Sequence, residues 1–90
     1  MATKKPTRES ELTDRQKEFA VKIGERIREL RIAKGHNSYE DFAYENDISR
    51  SQFGRYERGA SDMRMSSFLK ILDSLGITPK EFFGKGFDKK

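Results

Sequence analysis

The sequence predicts an all-α fold of five helices in a single domain. Three observations carry that expectation. Apolar residues recur at helical spacings of three and four, and no stretch alternates apolar with polar as a half-buried strand would. The ends of the periodic segments carry capping residues and glycines. Ninety residues suffice for one hydrophobic core and not for two.

Residues 1–12 are polar, contain Pro6 and lack periodicity, so they are expected to form a flexible arm. Thr13 and Gln16 make a capping box, in which the hydroxyl and the amide side chain each satisfy the other residue's backbone N–H. Phe19, Ile23, Ile27 and Leu30 then form one stripe of a first helix over 14–34, with Gly35 placed to end it. Ser38 caps a second helix that turns Phe42 and Ala43 inward and stops near Glu45. Asn46 and Asp47, residues that tolerate a left-handed backbone, make the turn. Ile48 enters the core, and Ser49 caps a third helix over about 50–57, with Phe53 and Tyr56 inward and Gly59 at its end.

A loop from Ala60 to Arg64 leads to a fourth helix over 65–75. Met65, Phe68, Leu69, Leu72 and Leu75 are read as its apolar face, and Gly76 as its C-cap. Thr78, Pro79 and Glu81 start a fifth helix with a capping box and a proline at its first position. It holds Phe82 and Phe83 and ends at Gly84. The expected domain is therefore 13–84, followed by a flexible basic tail over 85–90.

Composition narrows the function classes. Nineteen basic against fifteen acidic residues leave a net charge of +4, which suits a polyanionic partner. There is no cysteine, so disulfides and thiolate metal sites are excluded, and a reducing cytoplasm is the expected location. No run approaches the ~20 apolar residues of a membrane span. His36 is the only histidine and lies in a loop, without a second ligand for a metal. With no Ser/His/Asp grouping, metal-ligand cluster or phosphate-cradling glycine loop, an enzyme is not expected, nor is a cofactor.

The pair of short helices has a geometric consequence. Ala43 is small where the third helix must cross closely, and Ile48 and Phe53 pin that helix from beneath. Its opposite face reads Arg50, Ser51, Gln52, Gly54, Arg55 and Arg58. Arginine matches guanine O6 and N7, and glutamine matches adenine N6 and N7. A helix held this way is the kind that lies in a DNA major groove.

These residues carry a resemblance. Ile23 to Arg31, Ser38 to Ala43, Ile48-Ser49, Glu57-Arg58-Gly59, Leu69 to Leu72 and Leu75-Gly76-Ile77 resemble the Xre/Cro-type helix-turn-helix family of phage repressors and bacterial regulators. The likeness spans residues 23–83. It implies a five-helix, lambda-repressor-like DNA-binding domain with the helix-turn-helix at helices 2 and 3. It further implies base contacts from Arg50, Ser51 and Arg55, with Gln52 close by, and phosphate contacts from Ser38, Tyr39 and Arg58. Glu57 is implied to pair structurally with Arg31. The family position matched by Tyr39 is usually glutamine.

Two features stay open at this level. Arg64, beside the start of the fourth helix, either reaches a phosphate or the minor groove or is solvated surface. Phe82 and Phe83 either cap the core or serve as dimer contacts. Gly54, which costs about 0.5–1 kcal/mol against alanine inside a helix, is expected to let the backbone approach the groove wall. The sequence thus points to a sequence-specific regulator of transcription, a repressor that binds double-stranded DNA as a homodimer. The alternative is an antitoxin or adaptor on the same fold, with a toxin or other protein as partner.

Overall fold

Five helices follow one another without a strand in the computed structural model, which describes residues 12–87: α1 (Asp14–Ala33), α2 (Tyr39–Glu45), α3 (Arg50–Arg58), α4 (Met65–Leu75) and α5 (Pro79–Phe82). Four of them start on a side-chain cap. The hydroxyl oxygens of Thr13, Ser38, Ser49 and Thr78 accept from the backbone N–H three residues on, and Thr13–Gln16 and Thr78–Glu81 close full capping boxes.

The helix ends are equally explicit. After α1, α2, α3 and α4 the chain closes with paired bonds, of which Ala60 N–H to Arg55 O (2.8 Å) and Gly59 N–H to Tyr56 O (3.1 Å) are one set. This arrangement needs a left-handed residue just past the helix. Gly35, Gly59 and Gly76 supply it at φ 92°, 69° and 72°, and after α2 the non-glycine Asp47 adopts φ 61°.

The core gathers Ile23, Ile27, Phe42, Ala43, Phe53, Tyr56, Ile71, Leu72, Leu75 and Phe82. Burying each larger side chain contributes about 1.5–3 kcal/mol, set against chain entropy. At the α1–α3 crossing the backbones nearly touch. A Cβ on Gly24 would collide with the carbonyl oxygens of Tyr56 and Glu57, and one on Gly59 would lie 2.6 Å from Val21 Cα.

The structure redraws several expectations about the core. Phe19, read as core, is 52% exposed: it lies a turn before Ile23, and its ring meets that of Phe87 edge to face, centroids 6.0 Å apart. In α4 the buried positions are Ile71, Leu72 and Leu75, while Met65 and Leu69 face outward at 87% and 53% exposure. Phe82 is fully buried and belongs to the core, while Phe83 is 37% exposed.

The tail expected to be free from 85 onward begins with contacts. Lys85 Nζ sits 3.2 Å from Glu29 Oε2, and Phe87 packs on Phe83 with ring centroids 4.9 Å apart. An aromatic ring beside an aromatic cluster has more to gain by docking than by hydration. Arg26 ties α5 to α1, donating to the carbonyls of Phe82 (2.8 Å) and Glu81 (2.9 Å). Its hydrogen bond, and then that of Lys85, holds the Glu29 carboxyl below its ordinary pKa. The arm expected over 1–12 lies, apart from Leu12, outside the described residues, as does the tail beyond Phe87.

Candidate nucleic-acid interface

Helix α3 is placed by its underside. Ala43 and Phe53 are fully buried and Ile48 packs half-buried against them, with Phe42 and Phe53 rings 5.3 Å apart. Asp47 makes the left-handed turn between α2 and α3, and Lys70 Nζ donates to its carbonyl (2.8 Å), fastening the turn to α4.

A buried ion pair sets the helix against α1. Arg31 Nε and Nη2 donate to Glu57 Oε2 and Oε1 at 2.7 and 3.0 Å, a two-pronged fork. The two side chains are 4% and 7% exposed. Arg31 Nη1 donates in addition to the His36 carbonyl at 2.6 Å. Since the fork has one geometry, it fixes how α3 sits on α1. His36, read only as a loop residue, also packs its ring edge-on against Phe42 at 5.0 Å. A lone histidine beside a glycine carries no sequence signal for that.

The outer face of α3 presents Arg50, Ser51, Arg55 and Arg58 to solvent. Among the described residues the ion pairs are Arg26–Glu29, Arg31–Glu57 and Lys85–Glu29, so none engages Arg50, Arg55, Arg58 or Arg64. The arginines are not folded back against α1. Arg64 is exposed and occupies the N-cap position of α4 without a side-chain cap bond. Ser38 and Tyr39 are half-buried at the start of α2. Tyr39, Glu40, Ser49, Arg50 and Ser51 together line a small cleft between the two helices. Gln52 is half-buried, and its amide donates to Ser61 Oγ at 3.1 Å.

Gly54 departs from the sequence reading. It is buried and turned toward the Tyr39 ring: a Cβ there would lie 3.0 Å from Tyr39 Cε1 and 3.3 Å from Arg58 Nη1. The glycine makes room for a neighbouring side chain of the same chain. Gly54→Ala is therefore expected to displace the Tyr39 ring and Arg58, weakening binding to duplex DNA. In a Tyr39→Ala background the same change should instead stabilise the helix, by about 0.5–1 kcal/mol. Thermal melts and titrations of the two single variants and the double check both signs. Tyr39 was the available signal, since a bulky ring where glutamine is usual calls for a small residue opposite.

Comparison with known proteins places this geometry. Residues 26–85 match the model of the Cro/C1-type helix-turn-helix DNA-binding domain. Among curated proteins the chain is 33% identical over 59 residues to the control protein C.BamHI of Bacillus amyloliquefaciens, covering 66% of this chain and 73% of that one. It is 30% identical over 66 residues to the control protein C.MunI of a Mycoplasma species, covering 73% and 89%. Among solved structures, the restriction-modification controller protein C.AhdI of Aeromonas hydrophila superposes with a TM-score of 0.67 at 41% identity, covering 73% of this chain and 98% of that one. A variant of the controller C.Esp1396I superposes at 0.66 with 26% identity, covering 72% and 81%. With its domain matched from Arg26 to Lys85 and its helices superposing on those controllers, the chain belongs to the Cro/C1-type helix-turn-helix family of DNA-binding transcription regulators.

Proposed function

We propose that this protein is a controller-type regulator that binds an inverted-repeat operator as a homodimer in the cytoplasm and represses the promoter it covers. The observation that carries the reading is the exposed arginine face of α3, held outward by the buried Arg31–Glu57 fork. Its similarity to proteins named as restriction-modification controllers supports the same class of target, the promoter of a restriction-modification system.

Arg50, Ser51, Gln52 and Arg55 read base edges in this proposal, while Tyr39, Ser38, Arg58 and Arg64 hold phosphates. The first turn of α2 carries Glu40 and Asp41, whose charge offsets the positive helix end. The Tyr39 hydroxyl is therefore a better phosphate donor than the bare helix terminus. One short helix specifies only three or four base pairs, too few to single out a genomic site, which argues for two copies on one operator. Met65 and Leu69 on α4, together with Phe83, offer exposed apolar surface for that pairing.

Selecting bound duplexes from a random pool tests the proposal: an enriched inverted repeat is expected, and recovery of unrelated sequences would overturn it. With the selected site in hand, Arg50→Ala and Arg55→Ala should each lose about 1–3 kcal/mol of discrimination at particular base pairs. Arg58→Ala should weaken all sequences alike and lower the slope of log affinity against log salt by about 0.9. Equal, unselective losses from all three substitutions would remove direct readout from the account.

A further inference from the structure

We infer that Ser61, which lies outside the helix-turn-helix, is a specificity-determining residue that fixes where the Gln52 amide stands against a base; this rests on the reading of α3 as the recognition helix. The Gln52 Nε2 donates to Ser61 Oγ at 3.1 Å, a side-chain hydrogen bond from the outer face of α3 to the loop that follows the helix. The bond exists because of how α3 ends. Gly59, at φ 69°, reverses the chain, and the Ala60 N–H bond to Arg55 O holds the returning strand of loop. Ser61 is thereby set beside the first turn of the helix it has just left.

A glutamine side chain presents an acceptor oxygen and two N–H donors, and a free one can turn its amide over, exchanging donor for acceptor. A turned amide reads a different base edge. The Ser61 hydroxyl, which accepts from Nε2 and could equally donate to a turned amide, fixes where the amide stands, and with Nε2 bonded to it Oε1 and the second N–H are left together for a base. That is the acceptor–donor pair an adenine takes through N6 and N7. Gln52 is itself half-buried and its backbone N–H is held by Ser49 Oγ (3.3 Å), so the side chain is anchored at both ends. Ser61 acts here as a positioning residue: it touches Gln52, and Gln52 touches the base.

The experiment measures affinity of the full chain for its selected operator and for the three substitutions at each operator base pair. Gln52→Ala should flatten preference at one base pair, expected to be A·T. Ser61→Ala should reduce preference at that same pair by roughly three- to ten-fold, the worth of one net hydrogen bond, and leave the other positions unchanged. Ser61→Thr, which keeps the hydroxyl, should restore it. In the Gln52→Ala background Ser61→Ala should have no further effect.

Uniform weakening at every sequence would make Ser61 a phosphate contact and overturn the inference. So would unchanged preference in Ser61→Ala, or effects that simply add in the double variant. A wild-type chain that selects no site would instead overturn the reading of α3, which keeps the two failures apart. Thermal melts of each variant separate loss of folding from loss of preference, and Ser61→Thr carries the test if Ser61→Ala is unstable.

Discussion

Arg31→Ala is expected to destabilise the fold by about 3–5 kcal/mol, the largest single-residue loss from a polar side chain in this protein. The cost does not come from the net worth of the ion pair, which is small once both charges have been desolvated. It comes from what is left behind. With Arg31 gone, the Glu57 carboxylate stays in a site that leaves it 7% exposed, and no other described group bonds it. Glu57→Ala should cost less, because Arg31 keeps its bond to the His36 carbonyl (2.6 Å). A domain of this size holds only about 5–15 kcal/mol in total, so Arg31→Ala should leave much of the chain unfolded at 37 °C. Each kcal/mol should lower Tm by about 4–8 °C. Urea titration of both variants measures the order. The double variant Arg31→Met, Glu57→Leu should recover much of the loss, since two apolar side chains of similar volume need no partners. A loss under about 1 kcal/mol for Arg31→Ala would mean that water reaches the carboxylate.

Much of this architecture is legible in the chain because it is written in local chemistry. Thr13, Ser38, Ser49 and Thr78 cap where a hydroxyl three residues before a helical amide must cap. Gly35, Gly59 and Gly76 end helices where φ turns positive, and Asp47 takes the same role in the turn. The outward arginines of α3 follow from the inward Phe53 and Tyr56 on the same helix.

What the sequence did not disclose depends on where a neighbour lies. Periodicity ranks Leu69 with Leu72, yet only the placement of the other helices decides that Ile71 is covered and Leu69 is not. Phe19 continues the stripe of Ile23 and Ile27, but the body of the domain ends before it. Gly54 was legible as unusual and not as the seat of the Tyr39 ring, because that contact joins two helices fifteen residues apart. Ser61 looks like any loop serine until Gly59 folds the loop back onto α3.

Gly24→Ala is the second large effect expected, and its sign runs against local propensity. In the interior of an open helix the change would stabilise by about 0.5–1 kcal/mol, because glycine pays more backbone entropy than alanine. Gly24 is buried where α1 crosses the end of α3, and a methyl group there meets the carbonyl oxygens of Tyr56 and Glu57. Neither oxygen can swing aside as a side chain would, since both belong to helix backbone and Tyr56 O also accepts from Gly59 N–H. The helices must therefore separate. Separation pulls on the Arg31–Glu57 fork and opens the contact around Ile27 and Phe53, two fully buried side chains. Overpacking of this kind costs about 1–3 kcal/mol and more when backbone must move, so a net loss of about 2–4 kcal/mol is expected. Glu25→Ala, one residue on and exposed, should change stability by less than about 0.5 kcal/mol and serves as the control. Because α3 is also the helix proposed to face DNA, the folded fraction of Gly24→Ala should bind its operator more weakly than wild type at a temperature where both are native. A higher melting temperature for Gly24→Ala would mean that the crossing is loose, and that the fork alone sets the stance of the recognition helix.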